Sequence, residues 1–195
     1  MLKSFQRKYM NPIKTFHRHS LRLKDYDYSQ AGAYFITLCT FQRRNLFGVI
    51  QHEKMLLNNL GCIASAQLLE LPNHFSFLEL GEWIIMPNHI HAILILNDRG
   101  EASREINTNL PKPHGSDASP LRPNGTAPGS IGAVIQNYKS LTSRRITAKW
   151  EKLKGSIWQR NYYEHIILNE RELQAITDYI QTNPQNWEKD TEYIE

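Results

Sequence analysis

His89 and His91 open the apolar run in MPNHIHAILIL, two residues apart. On a strand that spacing sends both imidazoles to one face, with Cα atoms about 6.5 to 7 Å apart. Two imidazoles so placed can converge on one divalent ion. They leave positions free for another ligand and for phosphate oxygens, which is what a Lewis acid acting on a phosphodiester needs. A plainer reading is two polar residues at the mouth of a strand; the apolar run that follows makes a solvated pair out of place there. Tyr179 and Asn183, in ITDYIQTNPQNW, stand four apart and so share one side of a helix. Tyr179 lies about 80° from the middle of the apolar stripe Leu173, Ile176 and Ile180, a flank position. It is either a half-buried tyrosine whose hydroxyl meets water or a nucleophile. A phenol of pKa near 10 needs a polarised phosphate or a neighbouring base before it can attack. A third group, Trp158, Gln159, Arg160 and Tyr162 with Tyr163 and His165, supplies aromatic faces and donors suited to the bases and phosphates of a single strand. Packing into a core is the alternative, since half of any strand must face inward. Lys139 is counted with them as a DNA-facing cation, although Lys139, Arg144 and Arg145 leave their helix at different angles and form no single stripe.

The elements that must position these residues follow from periodicity. Tyr34–Phe41 reads as a strand, Glu53–Leu71 as a helix stopped by Pro72, and Phe75–Met86 and His89–Leu96 as strands turning at Pro87-Asn88. HIHAILIL is apolar on both faces beyond Ile90, so it belongs in mid-sheet with both sides covered. A helix from Ile131 to about Trp150, a strand over Ile157–Leu168, and a helix capped by Asn169 with Glu172 and ended by Pro184 complete the series. The order predicts an α+β, ferredoxin-like fold: a four-stranded antiparallel sheet (βαββαβ) with helices on one face and a C-terminal helix carrying Tyr179.

Residues 97–130 hold five of the nine prolines, four glycines and no aromatic residue, and are expected to be a mobile insertion. Residues 1–30 are expected to be a flexible basic arm: Met1 to Lys24 carries seven basic residues and no acidic one. Such an arm either touches nucleic acid or only solvates the terminus. One domain over 31–195 is expected, with a core that needs no staple in a chain of 195 residues. Cys39 and Cys62 form no CxxC pair, which argues against a disulfide framework or a thiolate zinc site. No apolar run reaches the length of a membrane helix, and a soluble cytoplasmic protein is expected. A net charge of +4 permits a polyanionic partner without demanding one. Walker, GxGxxG, GxSxG and HExxH motifs are all missing.

MPNHIHAILIL, IWQRNYYEHIIL and ITDYIQTNPQNW, in that order, resemble the signature segments of the single-tyrosine, IS200-like transposases of the HUH superfamily. The REP-associated tyrosine transposase branch is the nearest likeness, and YDYSQAGAYFITLCTFQRRNLF resembles that family's start. The resemblance implies that His89 and His91 bind a catalytic divalent metal, Mg²⁺ or Mn²⁺. It implies that Tyr179 attacks a single-stranded DNA phosphate, giving a 5′-phosphotyrosine and a free 3′-hydroxyl that can later reverse the step without ATP. Asn183 falls where relatives place a polar residue one turn after the tyrosine, and is implied as third ligand or orienting group. Family substrates are hairpin-forming repeats in single strands, and relatives include monomers and homodimers. A non-cleaving hairpin-binding protein of the same fold is the alternative, although a pure binder needs neither the histidines nor the tyrosine.

Overall fold

The computed structural model describes residues 27–98, 127–150 and 155–193. The basic stretch from Met1 to Lys24 and most of the 97–130 insertion lie outside these residues. The chain runs β1 (Gly32–Cys39), β2 (Gly48–Gln51), β3 (Lys54–Leu57), α1 (Asn59–Leu69), the single turn α2 (Leu71–His74), β4 (Leu78–Ile85), β5 (His89–Leu96), α3 (Ile131–Lys149), β6 (Tyr163–Ile167), α4 (Glu170–Thr182) and a 3₁₀ segment (Pro184–Lys189).

Four strands form one antiparallel sheet in the order β4-β5-β1-β6, the ferredoxin-like arrangement expected. β5 is buried almost end to end because strands flank it on both edges and helices cover both faces. Tyr34, Ile36 and Leu38 of β1, with Ile90, Ala92, Leu94 and Leu96 of β5, meet α1 and α3 in the main core. The alternate residues face the other way. There Phe35 and Ile93 meet Ile176, Tyr179 and Ile180 of α4 in a second, smaller cluster. α1 and α3 thus share a face, and α4 covers the opposite one. Strand alternation sends His89 and His91 to the α4 side, with Thr37 opposite His91 and Cys39 opposite His89.

Three elements depart from the periodic reading. Residues 48–57 form a hairpin, where the first helix was expected to begin at Glu53: His52 and Glu53 both adopt positive φ, as a tight two-residue hairpin turn requires. Leu56, inside that expected helix, instead pairs with Val49. α1 starts only after Asn58, whose Oδ1 accepts from the N–H groups of Leu60 and Gly61. A Cβ at Gly61 would sit 2.2 Å from the Phe47 carbonyl oxygen, so the glycine lets helix and hairpin close together. The strand expected from Phe75 begins at Leu78, after the short turn α2. The strand expected over Ile157–Leu168 is regular only from Tyr163. Ahead of it, Lys139 Nζ donates to the carbonyls of Gln159 and Asn161 at 2.9 and 3.0 Å, meeting backbone acceptors that a ladder would otherwise satisfy. Among the described residues no helix is long and apolar enough to cross a membrane.

Candidate metal and nucleophile site

Pro87 and Asn88 turn the chain from β4 into β5, and β5 delivers both imidazoles to the sheet face beneath α4. His89 and His91 are fully buried, with their Nε2 atoms 3.0 Å apart. Each Nδ1 has its own partner at 2.9 Å: Asn88 Oδ1 for His89 and Thr37 Oγ1 for His91. Phe35 stacks on His91 with ring centroids 5.2 Å apart and fixes its plane.

Tyr179 reaches the pair from α4. Its ring packs edge-on against Phe35, and its hydroxyl lies 3.1 Å from His91 Nε2. The same hydroxyl donates to Asp190 Oδ2 at 2.9 Å. The side chain is only 3% exposed, deeper than its flank position on the helical wheel implied, because α4 presses onto the sheet. Asn183, one turn on, donates from Nδ2 to Asp190 Oδ2 at 2.7 Å, and its buried Oδ1 meets no partner among the described residues. Tyr179 and Asn183 therefore do share a site, as their spacing required.

Asp190 is the residue that the sequence did not reveal. It follows the 3₁₀ segment, whose Trp187 packs on His89 and Tyr193. Its Oδ1 accepts from the Glu192 N–H at 2.7 Å, which folds 190–192 into a turn aimed at the histidines. One ligand atom each from His89, His91 and Asp190 lies within 4.8 Å of the others. Two imidazole nitrogens and a carboxylate oxygen suit a divalent ion, and Asn183 Oδ1 adds an unused neutral acceptor beside them.

Burial sets the protonation states. Desolvation pushes His89 well below its ordinary 6.5, helped by His91, against the opposing pull of the Asp190 charge. His91 falls to about 4, again from burial and against Asp190. Both imidazoles are therefore neutral at pH 7 and have lone pairs to give. Burial alone would raise the Asp190 carboxyl, yet it is held below 3.8 by the positive charge that the two imidazoles take on in acid, the Glu192 N–H and the Asn183 amide. Burial first, and the Asp190 charge next, raise the Tyr179 phenol well above 10. The phenol thus holds its proton until a base and a polarising charge act together. Beside the site Arg43 pairs with Glu192 at 2.9 Å, and the Cys39 thiol donates to the same carboxylate.

The candidate DNA contacts are distributed differently. Trp158 is buried against Phe47 and Tyr138 in the main core, where its ring offers no face to a base. Arg160 is exposed, while Gln159 and Tyr162 are half-buried. Lys139 sits over the Tyr162 ring at 5.6 Å, and burial lowers its amine to about 8 while it holds the Gln159 and Asn161 carbonyls.

Comparison with known proteins agrees with this architecture. A family model described as "Transposase IS200 like" matches residues 125–183, which take in α3, β6 and α4 with Tyr179 and Asn183. An uncharacterized protein of Haemophilus influenzae is 37% identical over 183 residues, covering 92% of this chain and 94% of that protein. A solved REP-associated tyrosine transposase bound to a REP hairpin shares the fold, with a TM-score of 0.55 and 19% identity over 89% of this chain and 78% of that one. By its family match, carried on this shared fold, the chain belongs to the IS200-like transposases.

Proposed function

We propose that this protein nicks and rejoins single-stranded DNA at hairpin-forming repeats, through a covalent link to Tyr179 and with a divalent metal at His89, His91 and Asp190. One observation carries the reading: buried beneath α4, the Tyr179 hydroxyl lies within hydrogen-bond distance of both a candidate metal ligand, His91, and a carboxylate, Asp190. A bound Mg²⁺ or Mn²⁺ would polarise the scissile phosphate and lower the barrier to attack. His89 and His91 would hold the ion through imidazole nitrogens and Asp190 through a carboxylate oxygen, with Asn183 Oδ1 as a neutral donor beside them. As the Tyr179 oxygen bonds to phosphorus, its proton passes to Asp190 Oδ2. The bond from phosphorus to the 3′ oxygen breaks, and that oxygen takes up a proton from water to leave as a 3′-hydroxyl, while Asp190 gives its proton back to solvent. The phosphodiester becomes a 5′-phosphotyrosine of similar energy, so another 3′-hydroxyl can reverse the step and join strands.

Support for a hairpin substrate comes from the structural relative, which was solved on a REP hairpin. Arg160, Gln159 and Tyr162 stand beside β6 as contacts for phosphate and base, with Lys139 fixing the backbone that presents them. A protein that acts on cellular DNA repeats would work in the cytoplasm.

The test is a denaturing gel of end-labelled hairpin oligonucleotides with Mg²⁺ or Mn²⁺. Wild type should give a covalent protein–DNA band and a released strand, and both should vanish in Tyr179→Phe and His89→Ala. Cleavage that survives Tyr179→Phe removes the tyrosine from the mechanism. Hairpin binding without cleavage by wild type supports instead the non-cleaving binder.

A further inference from the structure

Asn88 precedes the histidine pair, is completely buried, and takes no direct part in the chemistry proposed above. Every polar group it has beyond its own N–H is committed. Its backbone carbonyl accepts from the Thr40 N–H at 2.9 Å, which pins it to the end of β1. Its Nδ2 donates to the Glu192 carbonyl at 2.7 Å, and its Oδ1 faces His89 Nδ1 at 2.9 Å.

These partners fix the chemistry. A backbone carbonyl can only accept, so the amide nitrogen must point at Glu192 and the amide oxygen at His89. An amide oxygen also can only accept, so His89 Nδ1 must carry the proton. The neutral imidazole then has its lone pair on Nε2, the atom aimed at His91. His91 is held less strictly, because the Thr37 hydroxyl can donate to Nδ1 or accept from it. With the His89 lone pair on Nε2, His91 donates from its own Nε2 across 3.0 Å; as a ligand it would instead carry its proton on Nδ1, where Thr37 can accept it.

The second arm of Asn88 reaches the carboxylate. Glu192 donates its N–H to Asp190 Oδ1 and offers its carbonyl to Asn88, so the turn carrying Asp190 is tied to the turn carrying His89 through one side chain. We propose that Asn88 is a positioning residue for the metal site, locking His89 in the Nδ1–H tautomer and bracing the Asp190 turn against the start of β5. The choice of asparagine follows: aspartate could accept from His89 but could not donate to Glu192, and an aliphatic side chain could do neither. The inference rests on the metal reading above for its purpose, though not for its geometry.

Its test uses the full chain. Two-bond ¹H–¹⁵N spectra of the metal-free protein assign the His89 tautomer, calorimetry gives Mn²⁺ affinity, and hydrogen exchange follows the Glu192 N–H. Wild type should show His89 protonated on Nδ1. Asn88→Ala should mix the tautomers and weaken Mn²⁺ binding by about 10- to 100-fold, the usual loss when a ligand's supporting hydrogen bond goes. Asn88→Asp, nearly isosteric, should keep the Nδ1–H tautomer but expose the Glu192 N–H to faster exchange. A wild-type His89 protonated on Nε2 overturns the proposal without any variant, and so does a folded Asn88→Ala with unchanged tautomer and affinity. If Asn88→Ala fails to fold, the wild-type spectrum and Asn88→Asp decide. Wild type that binds no Mn²⁺ removes the metal reading, while the spectra still decide the role of Asn88.

Discussion

Acid should destabilise this protein in a pH range set by its histidines. His91 is completely buried and titrates near 4, against an ordinary 6.5, because desolvation outweighs the attraction of Asp190. Below 6.5 the unfolded chain therefore binds a proton that the folded chain refuses. Stability falls as pH drops from about 6.5 toward 4, and recovers as pH rises. With those two values, His91 alone removes about 2 kcal/mol between pH 7 and pH 5. His89, lowered in the same direction, adds to the loss. Asp190 acts in a separate window: its carboxyl is held below 3.8, so its contribution is present above 3.8 and disappears only as pH falls through the lower folded value. The assay is urea denaturation at pH 7 and pH 5, followed by tryptophan fluorescence, for wild type and His91→Gln. A chelator must be present, because an ion bound only by the folded state would add its own pH dependence. Wild type should lose about 2 kcal/mol more than the variant over that interval. Losses equal to within about 0.5 kcal/mol would mean that the native imidazole accepts its proton freely, and would refute the view of His91 as a buried, neutral donor.

Asp190→Asn should move two observables together. Nicking should slow by about 10²- to 10⁴-fold for want of a proton acceptor, while the Tyr179 phenol, relieved of a neighbouring negative charge, should titrate at lower pH in an ultraviolet difference titration. A slower variant with an unmoved phenol would place Asp190 away from the tyrosine proton. Gly61→Ala should cost about 1 to 3 kcal/mol, because its Cβ would collide with the Phe47 carbonyl, and should leave Mn²⁺ affinity unchanged; denaturant midpoints and calorimetry check both halves.

The sheet was legible in the sequence because its central strand has an unambiguous pattern. HIHAILIL is too apolar for a half-exposed strand and too short for a buried helix, and the structure places it between two partners with both faces covered. The β2–β3 hairpin was not legible. Its turn uses His52 and Glu53 at positive φ in place of the asparagine and glycine that announce such turns, and its Leu56 happens to fall at helical spacing from Leu60. The edge strand was overextended for a related reason: Ile157 and Trp158 look like strand residues but are core residues of a loop that Lys139 holds in place.

At the site, spacing alone united His89 with His91 and Tyr179 with Asn183, since periods of two and four residues carry side chains to a common face. No period connects the two pairs. Their meeting depends on α4 crossing the β5 face, a tertiary event decided by Phe35 and Ile93 packing on Ile176 and Ile180. Asp190 was further out of reach. It is one of several acidic residues after Asn183, in a segment with no repeating pattern. What singles it out is Trp187, which packs on His89 and anchors the 3₁₀ segment, together with the Asn88 bond that holds the following turn. A buried tryptophan between an amide and a carboxylate is the one trace of this arrangement in the sequence. It has meaning only once the face against which the ring packs is known.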